Sequence, residues 1–214
     1  MTTYNKNLSQ YIQNLFAKQD QALNTVWRDT PIRGLPAIHI TPEEGRFLQF
    51  LVRANGASKA VEIGTLGGYS GIWIARGLLP GGKLITLENE PTHAEVAREH
   101  FARAGLTDQV EVREGDAHET LRQLSSEGPF DFVFIDADKP GYNQYFKWAM
   151  DNMRLGGVIA AHNAFRGGAI IDEGNTHAYT QTMRIVNQRA AADPRLISTI
   201  YPAGDGTLVS VKIA

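Results

Sequence analysis

The chain has 214 residues, 43% apolar and 21% charged, with a net charge of −2 and no cysteine. That length is enough for one α/β domain with a sizeable core. The composition excludes disulfides and thiolate metal sites, shows no basic patch for nucleic acid, and holds no stretch apolar enough to span a membrane. The opening residues, Met-Thr-Thr-Tyr-Asn-Lys, lack the charged region and apolar run of a signal peptide, so a cytoplasmic location is expected.

In chain order, apolar residues at Leu8, Tyr11, Ile12, Leu15, Phe16, Leu23, Val26 and Trp27 give a helical stripe. Packing on its own domain, a lid and a dimer contact all fit that stripe. Pro31, Gly34 and Pro36 then break the pattern. Thr41-Pro42-Glu43-Glu44 has the form of a helix start: a capping hydroxyl, a proline in the first position and acids in the first turn. That helix runs through Phe47, Leu48, Leu51 and Val52 to Asn55-Gly56.

Lys59–Ile63 reads as a strand and enters a turn holding Gly64, Gly67 and Gly68, after which Ile72–Leu79 is helical. Strand, glycine turn and helix form the nucleotide-site unit of doubly wound α/β folds. Here the glycines run G-x-x-G-G rather than G-x-G-x-x-G, and a carboxylate, Glu62, sits at the strand end. A pyrophosphate at that helix start is repelled by a carboxylate, whereas a cationic ligand is favoured. The turn therefore points to a ligand with a positive centre, such as the sulfonium of S-adenosylmethionine.

Lys83–Glu88 is a second strand, followed by a helix from about Thr92 to Ala104. Glu88 lies about 20 residues beyond Gly68, the spacing of an acid that accepts from ribose hydroxyls. Gln109–Arg113 is a third strand. Asp116 after it suits an adenine amino group and, equally, the cap of a helix over Glu119–Leu124. Phe130–Ile135 is a near-continuous apolar run ending in Asp136-Ala137-Asp138-Lys139, as a buried parallel strand does where it opens on a site. A helix over Tyr142–Met153 follows. A strand over Gly156–Ala161 then ends at His162-Asn163, and a further helix spans Thr180–Ala191. Leu196–Tyr201 and Leu208–Ile213, joined through Gly204-Asp205-Gly206, read as an antiparallel pair.

Four stretches in order, Ile-Thr-Pro-Glu-Glu-Gly, Val-Glu-Ile-Gly-Thr-Leu-Gly-Gly-Tyr-Ser, Ile-Asp-Ala-Asp-Lys and Asp-Gly-Thr-Leu-Val, resemble the class I S-adenosylmethionine-dependent methyltransferases. More narrowly, the chain resembles the cation-dependent catechol and caffeoyl-CoA O-methyltransferases from Ile38 to Ala214. The resemblance implies a doubly wound, seven-stranded, mostly parallel sheet of Rossmann-like methyltransferase type. The last strand is antiparallel, and extra N-terminal helices precede the sheet. It implies one domain over residues 1–214, with residues 1–35 as a lid or dimer segment, and a homodimer. Glu62, Gly64 and Ser70 would hold the methionine part of S-adenosylmethionine with Ile38 and Ile40. Glu88 would bind the ribose, and Asp116 and Ala117 would line the adenine. Asp136 would touch both the cofactor and a divalent cation, Lys139 would be the general base, and Asn163 a second metal ligand facing a phenolic substrate. A cation bound by two vicinal oxygens would lower their pKa and fix their orientation. Lys139 near that cation and the sulfonium would lose its proton more readily.

The departure from the family's pattern is His162, where the family has aspartate before the asparagine. Three outcomes stand open: a nitrogen-tolerant metal bound by Asp136, His162 and Asn163; weak magnesium binding through Asp136 and Asn163; or loss of the metal, with His162 as base or substrate-orienting group. His162 bonded only to a neighbour is the plain alternative. His39 and His118 fall near the cofactor segments, whereas His93, His100 and His177 read as surface or helix residues. A nucleotide-binding oxidoreductase and a non-catalytic S-adenosylmethionine-binding protein are the rival functions.

Overall fold

The computed structural model describes residues 3–214; Met1 and Thr2, the first of the residues read for a leader, lie outside the described residues. Two helices come first, α1 (Lys6–Phe16) and α2 (Gln21–Ile32). The single apolar stripe over Leu8–Trp27 is thus two helices, because Asp20 caps a new one: its side chain accepts from the Leu23 amide. Pro31 does not end the pattern but sits inside the last turn of α2. The helix α3 (Pro42–Ala54) starts as read, with a full capping box between Thr41 and Glu44.

The sheet comprises β1 (Lys59–Ile63), β2 (Lys83–Glu88), β3 (Val110–Glu114), β4 (Phe130–Ile135), β5 (Met153–His162), β6 (Leu196–Tyr201) and β7 (Thr207–Lys212). Their order is β3-β2-β1-β4-β5-β7-β6, and β7 runs antiparallel to both β5 and β6. The helices α4 (Tyr69–Gly77), α5 (Pro91–Arg103), α6 (Ala117–Leu124), α7 (Tyr142–Asn152) and α8 (Ala178–Ala192) complete the chain. The fifth strand begins three residues earlier than its glycines suggest.

Strand alternation divides the core in two. Val61, Ile63, Val133 and Ile135 pack with Leu121, Phe146, Met183 and Val186 of α6, α7 and α8. Ala60, Phe132, Phe134 and Val158 pack with Val26, Leu48, Ile72 and Phe101 of α2, α3, α4 and α5. Helices on both faces leave only the strand ends open. β1 and β4 are neighbours although the chain leaves β1 toward β2, so the crevice beyond their carboxyl ends is a topological switch point. Among the described residues, no helix is long and apolar enough to cross a membrane.

Candidate active site

A cavity of about 760 Å³ lies along this crevice, within the size range of small-molecule sites. At its centre the turn after β1 comes close to β4. Gly64 has φ +99°, and a Cβ there would collide with the Asp136 carbonyl, so only glycine keeps the two strand ends together. Gly68 ends the turn at φ +83° and begins α4 without a capping side chain.

Of the predicted cofactor residues, Ile38, Ile40, Gly64, Ser70, Glu88, Asp116, Ala117 and Asp136 all line the cavity. Glu62, expected at the methionine part, lies behind that wall. Alternation along β1 turns Glu62 toward α4, where it is 0% exposed. There it accepts from Ser70 Oγ at 2.5 Å and Thr86 Oγ1 at 2.6 Å. Burial pushes its carboxyl up to about 7 against those two hydrogen bonds. Glu62 therefore braces the glycine turn from beneath, and the Ser70 hydroxyl is committed to it.

Glu88 ends β2 with both oxygens anchored. Oε2 accepts from the Leu66 amide at 2.7 Å, and Oε1 accepts from the Asn89 and Glu90 amides at 2.9 and 3.0 Å. The carboxylate is held at the cavity wall, where it keeps lone pairs for further donors. Asp116 does both things read for it in position: Oδ1 caps α6 through the Glu119 amide at 3.0 Å, while the residue lines the cavity. His118 stacks on Tyr145 beside it, with ring centroids 4.8 Å apart. With Glu88, Glu90, Asp116, Asp136 and Asp138 on its wall, the cavity suits a ligand carrying a positive centre. Its size, the glycine approach and the acid at the end of β2 fit S-adenosylmethionine.

The far end gathers Asp136, Lys139, His162 and Asn163. Asp138 beside them accepts from the Gly141 amide at 2.9 Å and from Tyr145 Oη at 2.6 Å. Lys139 is 9% exposed. It donates to Tyr142 Oη at 2.7 Å and the Ala137 carbonyl at 3.0 Å, and its Nζ lies 3.5 Å from Asp136 Oδ1. Burial lowers the Lys139 pKa, with the Asp136 charge opposing the shift.

His162 is 8% exposed and sits between two carboxylates. Its Nε2 donates to Glu44 Oε1 at 2.9 Å. Its Nδ1 lies 3.2 Å from Asp136 Oδ2, in ion-pair range but off the hydrogen-bond direction. Burial alone would lower its pKa, but the Asp136 charge and the Glu44 hydrogen bond outweigh burial and push it up to about 10. The charge of His162, followed by that of Lys139, holds the Asp136 carboxyl below its ordinary value.

Glu44, which the sequence pattern marks only as part of a helix start, is a site residue. Its Oε2 accepts from the Thr41 amide and hydroxyl, both at 2.8 Å, and a Cβ at Gly204 would run into its carboxylate. The available signal was the doubled acid after Pro42, since a capping box needs only one. Asn163, at φ +60°, donates from Nδ2 to Asp205 Oδ2 at 2.9 Å. The turn between β6 and β7 thereby fixes the end of β5. His100, read as a surface or helix residue, lies on α5 but is 1% exposed, with Nδ1 2.8 Å from the Gly67 carbonyl.

The set expected for a divalent cation, Asp136, His162 and Asn163, comes together in the cavity lining, but its groups are already engaged. Asp136 Oδ1 and Oδ2 lie 3.5 and 3.2 Å from Lys139 Nζ and His162 Nδ1, while His162 Nε2 and Asn163 Nδ2 are taken up by Glu44 and Asp205, so as arranged these residues do not fit a cation. Among the described residues, no three His, Asp or Glu side chains converge to hold a metal.

A cavity over the switch point with acids on its wall and Lys139 in its lining fits a class I S-adenosylmethionine-dependent methyltransferase, and the likeness to known proteins establishes that class. The chain belongs to the O-methyltransferase family, whose profile matches residues 13–213. It is 44% identical over 197 residues to a catechol O-methyltransferase of Niastella koreensis, covering 91% of this chain and 89% of that one. It is 40% identical to a catechol O-methyltransferase of Mycobacterium tuberculosis with the same coverage. The solved O-methyltransferase from Bacillus cereus in complex with SAH superposes at a TM-score of 0.90 with 41% identity, over 96% of this chain and 97% of that one.

Proposed function

We propose that this S-adenosylmethionine-dependent O-methyltransferase acts on a hydroxyl of a small aromatic acceptor of catechol or caffeoyl type, with Lys139 as general base. The observation that carries the reading is continuity. One cavity joins the residues suited to the cofactor to the Asp136–Lys139–His162–Asn163 cluster, so donor and acceptor share one space. The names of the two catechol O-methyltransferase relatives support the acceptor class.

S-adenosylmethionine, when bound, supplies an electrophilic methyl group for in-line displacement. The chain's own residues supply position and proton removal. Gly64 and Glu88 fix one end of the cavity. Asp136, braced by β1 through its amide on the Ile63 carbonyl at 2.9 Å, marks the boundary between the two halves. Lys139 is buried with its pKa lowered, so its resting ammonium gives up a proton, and is freed to take one from an acceptor hydroxyl, more readily than a surface lysine does. His162, with its pKa near 10 and a carboxylate facing each ring nitrogen, is unsuited to accept that proton at neutral pH. The divalent cation implied by the resemblance has no place in this reading. Pairing of two copies would use the exposed Tyr11, Leu15 and Phe16 of α1.

The test is transfer of labelled methyl from S-adenosylmethionine to a panel of catechols, caffeoyl esters and aliphatic alcohols. Methylation confined to the aromatic hydroxyls supports the acceptor class. Methylation of aliphatic alcohols alone would remove it.

A further inference from the structure

Asp136, Glu44, His162 and Lys139 form a closed charge set: two carboxylates and two cationic side chains in one chain of contacts. Lys139 Nζ meets Asp136 Oδ1, Asp136 Oδ2 meets His162 Nδ1, and His162 Nε2 meets Glu44 Oε1. Replacing an aspartate by an imidazolium raises the local charge by two, as much as adding a divalent cation does. The set is therefore balanced with nothing added, and an extra divalent charge would have no carboxylate left to answer it.

The surroundings hold this arrangement in place. Glu44 cannot swing away, because the Thr41 amide and hydroxyl clamp its second oxygen and the Gly204 backbone abuts it. Its side chain is 4% exposed, so an unpaired charge there would be costly. The Asn163 amide group is tied to Asp205, and Gly206 and Asp205 carbonyls accept from the Ala164 and Phe165 amides at 2.9 Å each. The end of β5 thus presents His162 to both carboxylates from a fixed backbone.

We infer that His162, positioned by Glu44, stands in for the divalent cation of this site, so that the chain binds no catalytic metal and holds Asp136 by side-chain charge alone. Glu44 is a positioning residue: it acts on Asp136 only through the imidazole. The inference rests on the methyl-transfer reading for its meaning in catalysis, but its central claim is about binding.

The experiment measures binding and activity separately. The purified full chain, saturated with S-adenosylhomocysteine, is titrated calorimetrically with Mg²⁺, Mn²⁺, Co²⁺ and Zn²⁺ after EDTA dialysis, and its metal content is measured before dialysis. No stoichiometric uptake, together with a transfer rate that EDTA changes by less than about twofold, is the expected result. Stoichiometric uptake of any of the four cations would overturn the inference, and its loss in His162→Gln would show a neutral Nδ1 to be a ligand with Glu44 behind it. The variant His162→Asp is expected to gain Mn²⁺ binding, read by paramagnetic resonance, and EDTA sensitivity. Its melting temperature with S-adenosylhomocysteine reports that it folds.

Glu44→Gln separates positioning from packing. It should lower kcat about tenfold or more, leave KM for S-adenosylmethionine within about twofold, and shift the protected ring N–H proton resonance of His162. An unchanged resonance and kcat would remove Glu44 from the inference. A chain that methylates no aromatic hydroxyl yet takes up no cation defeats the acceptor reading and leaves the metal-free site supported.

Discussion

Glu62 and Lys139 are both buried charges, and burial acts on them in opposite directions: it raises the acid and lowers the base. For Glu62, the folded pKa of about 7 stands above the ordinary value of 4.5. Its contribution to stability is therefore complete below about 4.5 and is lost as pH rises through about 7. Relative to Glu62→Gln, the wild type should lose on the order of 3 kcal/mol between these limits, read from urea unfolding at a series of pH values. A difference that stays flat with pH contradicts the buried position. For Lys139, the variant Lys139→Met keeps the apolar stem and removes the base. It should reduce kcat by about 10²–10⁴-fold while S-adenosylhomocysteine still raises the melting temperature. Because charge at this end comes from a fixed side chain, an acceptor with a single phenolic hydroxyl should turn over at a rate comparable to a catechol, as parallel assays would reveal. Lys139 was legible in the sequence because a charged cluster ended an apolar run. The burial of Glu62 follows from strand alternation, which sets its side chain on the α4 face of β1, rather than from its place at the strand end.

The turn after β1 and the start of α3 are the two elements that shape the cavity, and each depends on a local rule. At Gly64 the backbone conformation and the close approach of the Asp136 carbonyl both exclude a side chain. Gly64→Ala should destabilise the fold by about 1–3 kcal/mol, measured by denaturant unfolding, and weaken S-adenosylhomocysteine binding in calorimetry. At α3, the capping box does more than start a helix. Thr41 holds one oxygen of Glu44, so the other reaches His162. The adjacent Glu43 accepts from Tyr4 Oη, Ser9 Oγ and Tyr201 Oη at 2.6, 2.7 and 3.0 Å, tying α1 and β6 to the same turn. The capping pattern was readable from Thr-Pro-Glu-Glu. That both acids are buried was not, because their partners lie 118 and up to 158 positions away in the chain.

Across the whole molecule, the switch point between β1 and β4 decides where the cavity opens, and the charge on its walls decides what enters. S-adenosylhomocysteine should raise the melting temperature, with about 2.7 kcal/mol of stabilisation at a hundredfold excess over Kd, whereas NADH should leave it unchanged. Stabilisation by NADH alone would return the oxidoreductase rival. The sequence by itself determined the sheet, its flanking helices and the strand-end and glycine-turn residues of the cavity wall, because alternation, glycine turns and strand-end acids are short-range signals. It also marked His162 as the departure. Only the tertiary structure decided what that departure does: whether an imidazole is a ligand or a fixed cation depends on the groups opposite its two nitrogens. One of them, Glu44, comes from a helix that no local pattern connects to the end of β5.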